Sequence, residues 1–266
     1  MAEVYVNRRR EMSIGTSSLS RSQGEPSRKV AGSVSAKKTA RIAGVFYLLV
    51  GIFGGFSEGF VDPKMYVAGN AVETVKNVVA NSELMRMGVA AHLLDAIFFV
   101  TVALVLYALF QHVHKAVART MLVFVALAVG IISLNAVFQF EALRVATGAV
   151  DMASLGHAGS NAIVLLLVDI QHYGTLAAQV FFGLWLIPLG YLAYKSGWFS
   201  KVLSILLAVA GACYLVDLFV VFLGLNLGSS FHSLIVIPCA IAEIWMVGYL
   251  LFVGVRKHGA TDLAAG

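Results

Sequence analysis

The chain reads as all-α: a polytopic membrane protein, a bundle of six transmembrane helices with both termini in the cytoplasm. Three observations predict this. Of 266 residues, 59% are hydrophobic and only 12% are charged, and the mean hydropathy is +0.86, more apolar surface than a soluble domain hides. Apolar segments of about 20 residues recur, each long enough at 1.5 Å per residue to cross a hydrocarbon core of roughly 30 Å. The basic residues also concentrate on one side.

The expected spans cover 42–60, 87–111, 119–142, 168–194, 201–224 and 231–255. Nine Lys and Arg residues precede the first span, from Arg8 to Arg41. Lys115 and Arg119 separate spans two and three, Lys195 and Lys201 separate four and five, and Arg256 and Lys257 follow six. The other side carries Lys64, Lys76, Arg86 and Arg144. The positive-inside rule therefore places both ends in the cytoplasm, as an even number of spans requires. The net charge of +5 is a topology signal and does not point to a nucleic-acid partner.

Residues 1–36 are rich in Ser, Gly and Arg and hold no apolar run. They read as a disordered cytoplasmic tail without the apolar core of a cleaved signal peptide, and Met12 is a second candidate start. The transmembrane domain occupies 37–257, and 258–266 form a short cytoplasmic tail. Between the first two spans, Val72, Val75, Val79 and Leu84 recur at helical spacing, which predicts a short amphipathic helix on the outer surface. Gly51, Gly55 and Gly59 make a small-residue stripe that suits close helix packing, within the chain or in a homo-oligomer. Pro188 and Pro238 are expected to kink spans four and six. Cys213 and Cys239 fall mid-span, where packing is their expected role rather than a disulfide.

The ionisable residues within the spans concentrate in the outer half. His92 and Asp95 sit near the outer start of span two, and Asn135 and Gln139 in the outer third of span three. Asp169 and His172 fall at the outer rim of span four, and Asp217 in the outer third of span five. Glu243 lies deepest, toward the midplane of span six, and Glu58 ends span one. Charged groups inside a bilayer persist mainly when paired, wetted or used. Residues three or four apart share a helix face, so His92 with Asp95, Asn135 with Gln139, and Asp169 with His172 each form one face. His232, Cys239 and Glu243 fall within about 40° of one another at 100° per residue. These faces predict a shared polar cavity, open to the outside, lined by His92, Asp95, Asn135, Gln139, Asp169, His172, Asp217 and Glu243.

Several strings carry a resemblance: KKTARIAGVFYLLVGIFGGF at 37–56, VDIQHYG at 168–174, FFGLWLIPLGYLAYKSGWF at 181–199, GACYLVDLF at 211–219 and IPCAIAEIW at 237–245. In this order the chain resembles the domain of unknown function 4386 family of prokaryotic membrane proteins over roughly 37–256. FSKVLS at 199–204 departs from the Pro-containing turn expected there. The resemblance implies a multi-helix domain in the plasma or inner membrane of a prokaryote. It implies no activity.

Three uses of the cavity follow from its residue types. The first is binding of a small polar ligand, an ion or a lipid headgroup, with the lipid bilayer as the surrounding partner. The second is proton- or ion-coupled transport with Glu243 as the deepest carboxylate. The third is a metal-dependent membrane hydrolase, with zinc or another divalent metal held by His92, His172 and one of Asp95, Asp169 or Asp217. A purely structural role, with these residues as interhelical polar contacts, stands beside them. No HExxH pair, phosphate-binding loop, dinucleotide fingerprint or CxxC site is present, which argues against nucleotide-driven chemistry.

Overall fold

A computed structural model describes residues 25–225 and 229–256. Among them all regular structure is helical. The helices are α1 (Glu25–Phe56), α2 (Asp62–Met65), α3 (Ala71–Ala80), α4 (Ser82–Ala146), α5 (Gly156–Ser196), α6 (Lys201–Phe222) and α7 (Ser229–Gly248). A π-helical turn, Ser57–Val61, joins α1 to α2, and another, Tyr249–Val253, follows α7. Five helices are long and apolar enough to cross a membrane.

The difference from six expected spans comes from α4. Spans two and three fall in this one 65-residue element, whose backbone leaves the helical region at His114 (φ −157°, ψ 97°). His92 and Gln139 lie on opposite sides of that break, yet both contact Asp62. A straight helix would hold them about 70 Å apart, so the two arms fold back on each other at His114.

The arms bury their faces with a period of three to four residues. Ala91, His92, Asp95, Phe99, Val102 and Leu106 face inward on the first; Val125, Ala128, Ile132, Asn135 and Gln139 do so on the second. The main core joins all five long helices through Tyr47, Phe110, Met121, Trp185, Leu207 and Met246. A smaller cluster under the α2–α3 segment joins Val61, Met65, Val78 and Met85 to Leu143 and Val164.

The closest helix approach is not at the expected glycine stripe. A Cβ at Gly51, Gly55 or Gly59 would meet nothing within 4 Å, whereas one at Gly183 would lie 2.5 Å from the Gly211 carbonyl and one at Gly211 would lie 2.6 Å from the Gly183 carbonyl. Among the described residues nothing packs against the stripe, and Gly183 and Gly211 let α5 and α6 touch instead. Pro188 and Pro238 lie inside α5 and α7. Both cysteines are free, and the Cys239 thiol packs against the Ala210 carbonyl at 3.4 Å.

Three other expectations have different outcomes. Residues 1–24 of the expected tail, and the tail at 258–266, lie outside the described residues, while α1 begins at Glu25. The amphipathic helix is present as α3, capped by Asn70, whose side chain accepts from the Glu73 backbone N–H at 3.1 Å. Its buried face is Thr74 and Val78, while Val72 and Val79 are exposed. Helix α5 starts at Gly156, twelve residues before the expected 168, because the small and polar residues 156–161 continue the helix without an apolar pattern. Asp169 and His172 are therefore well inside a helix rather than at its start.

Candidate functional site

Two stripes build the site. Along α1 and its continuation, Tyr47, Gly51, Gly54, Glu58, Asp62 and Tyr66 recur every three or four residues, one face of a helix. The π turn carries Glu58 and inserts between α1 and α2 without breaking the rod; such turns are frequent at functional sites. Along α5, Gln171, Thr175, Gln179, Phe182 and Trp185 make the facing stripe. Two cavities lie along these stripes. The vestibule, about 380 Å³, is bounded by Glu58, Asp62, Tyr66, Gln171, His172 and Thr175. The inner cavity, about 220 Å³, is bounded by Glu58, Asp95, Gln179, Tyr214 and Glu243, with Tyr47. Glu58 lines both.

Asp62 organises the vestibule floor. Gln139 Nε2 donates to Asp62 Oδ1 at 2.7 Å and Gln171 Nε2 donates to Oδ2 at 2.8 Å. His92 Nε2 lies 3.1 Å from the same Oδ2. One carboxylate thus ties α2 to both arms of α4 and to α5, with strong charge-assisted bonds. Asn135 Nδ2 donates to Thr175 Oγ1 at 3.3 Å; Gly174 leaves room for it, since a Cβ there would collide with the Asn135 side chain. At the mouth, the Tyr66 and His172 rings lie 4.8 Å apart. Burial and the neighbouring Asp169 carboxylate push the Tyr66 phenol well above the ordinary tyrosine range.

The inner cavity centres on Glu243. Tyr47 Oη donates to Glu243 Oε2 at 2.9 Å and Tyr214 Oη donates to Oε1 at 2.8 Å. Opposite them Asp95 is 5% exposed, and its Oδ1 has no hydrogen-bond partner among the described residues; the same holds for Gln179 Oε1. A buried polar atom without a partner is costly. Phe99, Phe182 and Trp185 form the apolar wall. Trp185 stacks edge-on against Tyr47 and Phe99, at 5.4 and 5.1 Å between ring centres. Beyond this aromatic layer the core is largely apolar down to Phe110, Phe199 and Tyr249, with Ser204 buried in it and donating to the Ser200 carbonyl at 2.9 Å.

Of the expected residues, Asp95 and Glu243 line the inner cavity and His172 lines the vestibule. His92, Asn135 and Gln139 support the vestibule from beneath, and Asp169 flanks Tyr66. Asp217 is buried but lines neither cavity, and the His232 side chain lies outside the described residues. Instead of the single shared cavity there are two cavities, with Glu58 lining both. Tyr47, Asp62, Gln171, Thr175 and Tyr214 were not expected. Asp62 escaped because hydropathy ends the first span at 60; the tyrosines escaped because they read as apolar. The spacing Tyr47–Gly51–Glu58–Asp62 was the available signal. Among the described residues no group of three His, Cys, Asp or Glu side chains is placed to hold a metal, so His92, Asp95, Asp169, His172 and Asp217 do not form the expected ligand set.

A family model described as Domain of unknown function (DUF4386) covers residues 42–254. No curated protein and no solved structure matches.

Proposed function

Because the chain belongs to the domain of unknown function 4386 family, which carries no assigned activity, we propose from the site alone that it is a multi-pass membrane protein binding a small polar ligand. The observation that carries this is that two polar-lined cavities lie along one helix face, with Glu58 lining both. In this reading the two arms of α4 are separate passes, giving six. In the same reading both termini are cytoplasmic, which the distribution of basic residues supports, the membrane is that of a prokaryotic cell, and the vestibule faces outward. The ligand enters past Tyr66 and His172 and stops at Glu243.

Coupled transport is supported less, because the inner cavity ends on the Tyr47–Trp185 layer and a largely apolar core. Metal-dependent hydrolysis is supported less because its proposed ligands diverge.

The test is chemical access. In a Cys213→Ala/Cys239→Ala background, Gln179→Cys in intact cells should react with externally added trimethylammonium-ethyl methanethiosulfonate, which does not cross membranes. Absence of reaction, alongside reaction at Leu176→Cys in the vestibule, would reject an inner cavity reached from outside.

A further inference from the structure

We infer that the inner cavity takes a small organic cation, its ammonium group among Glu58, Asp95 and Glu243 and its carbon part against Phe99, Phe182 and Trp185. This rests on the ligand-binding reading above and adds the chemical class.

Four observations lead there. Three carboxylates line the cavity, and no Lys, Arg or His is among its lining residues. The unpartnered buried atoms at this site, Asp95 Oδ1 and Gln179 Oε1, are both acceptors, so the missing partner is a donor or a positive charge. Asp95 is more than nine-tenths buried, and it borders the cavity directly. Glu243 is held by two phenols rather than by a base, which leaves its remaining lone pairs toward the cavity uncompensated by positive charge.

The walls separate an organic cation from a metal ion. Hard cations such as calcium take six to eight oxygens in a close shell, and no three acidic or metal-binding side chains converge that tightly among the described residues. Aromatic faces attract alkylammonium groups instead, as in aromatic cages. Trp185, Phe99, Phe182 and the two tyrosines supply such faces. The volume, about 220 Å³, is below the roughly 300–1,000 Å³ of clefts for drug-sized ligands, which limits the ligand to a small amine. Gly51, Gly54 and Gly55 keep the α1 side of the cavity clear of side chains; a Cβ at Gly54 would reach 3.4 Å from Asp95 Oδ1.

The experiment is calorimetric titration of the purified full chain in lipid nanodiscs. The probes are choline, its uncharged carbon isostere tert-butylethanol, and potassium chloride. Choline should bind saturably and the isostere at least about tenfold more weakly, since only the charge differs. Asp95→Asn should weaken choline by a similar factor, with Glu243→Gln as the second variant. Equal binding of choline and tert-butylethanol would overturn the assignment. So would the same saturable signal from potassium alone, or unchanged choline affinity in Asp95→Asn. Absence of choline binding while Gln179→Cys still reacts from outside would overturn the cation assignment and leave the open cavity standing.

Discussion

Tyr47 and Tyr214, on α1 and α6, each donate a hydrogen bond to a different oxygen of Glu243, at 2.9 and 2.8 Å. The arrangement fixes a carboxylate of α7 from two directions and closes the bundle around it. Removing either hydroxyl leaves one carboxylate oxygen short of a donor. Tyr47→Phe and Tyr214→Phe should each lower stability by about 1–3 kcal/mol. The double variant should lose less or more than the sum by at least about 0.5 kcal/mol, because the two share an acceptor. Chemical unfolding in detergent checks both.

Asp62 is the second hub. Asp62→Ala strips an acceptor from Gln139 and Gln171 and a neighbour from His92, and should cost about 3 kcal/mol or more. Asp62→Asn, which keeps the shape, should cost less. Equal melting temperatures for wild type and Asp62→Ala would contradict the role of Asp62 as the tie between α2, α4 and α5.

The α5–α6 contact depends on two glycines. Gly211→Ala would put a methyl 2.6 Å from the Gly183 carbonyl, closer than real contacts allow, and should cost about 1–3 kcal/mol. Gly55→Ala, on the open side of α1, should leave stability unchanged. The contrast between these two glycine variants is the readout.

Much of this was legible in the sequence. Helical period alone put His92 and Asp95 on an inward face, and depth counting marked Glu243 as the innermost acid. The polar layer could be seen, but its wiring could not. Asp62 sits two residues past the last apolar position of span one, and only the π turn, which keeps α1 running on to α2, brings it back over the bundle. His92 and Gln139 meet there because α4 folds at His114, and no local signal in QHVHKAV states that angle. Tyr47 and Tyr214 read as membrane aromatics until their hydroxyls are placed against Glu243. The glycine stripe misled for a related reason: spacing finds small residues, but not which side of a helix has a neighbour.

Alkaline titration probes the mouth. Burial first, and the Asp169 carboxylate second, hold the Tyr66 phenol above the ordinary tyrosine range. The folded state therefore keeps a proton that the unfolded chain loses, so this group's contribution to stability is complete below the unfolded tyrosine value, near pH 10, and declines as pH rises above it. The phenolate absorbance difference between wild type and Tyr66→Phe should appear later than for a free tyrosine. In an Asp169→Asn background it should move to lower pH.

The central claim is that the vestibule is the way into the inner cavity. It is tested most directly by measuring how fast Gln179→Cys reacts with the external methanethiosulfonate, with and without Leu176→Trp filling the vestibule. Obstruction should slow the reaction at least about tenfold, since Leu176 lines the vestibule, Glu58 borders both spaces, and bulk in the vestibule narrows the proposed path. An unchanged rate would contradict the account and place the entrance on the side of α1 that Gly51 and Gly55 leave open.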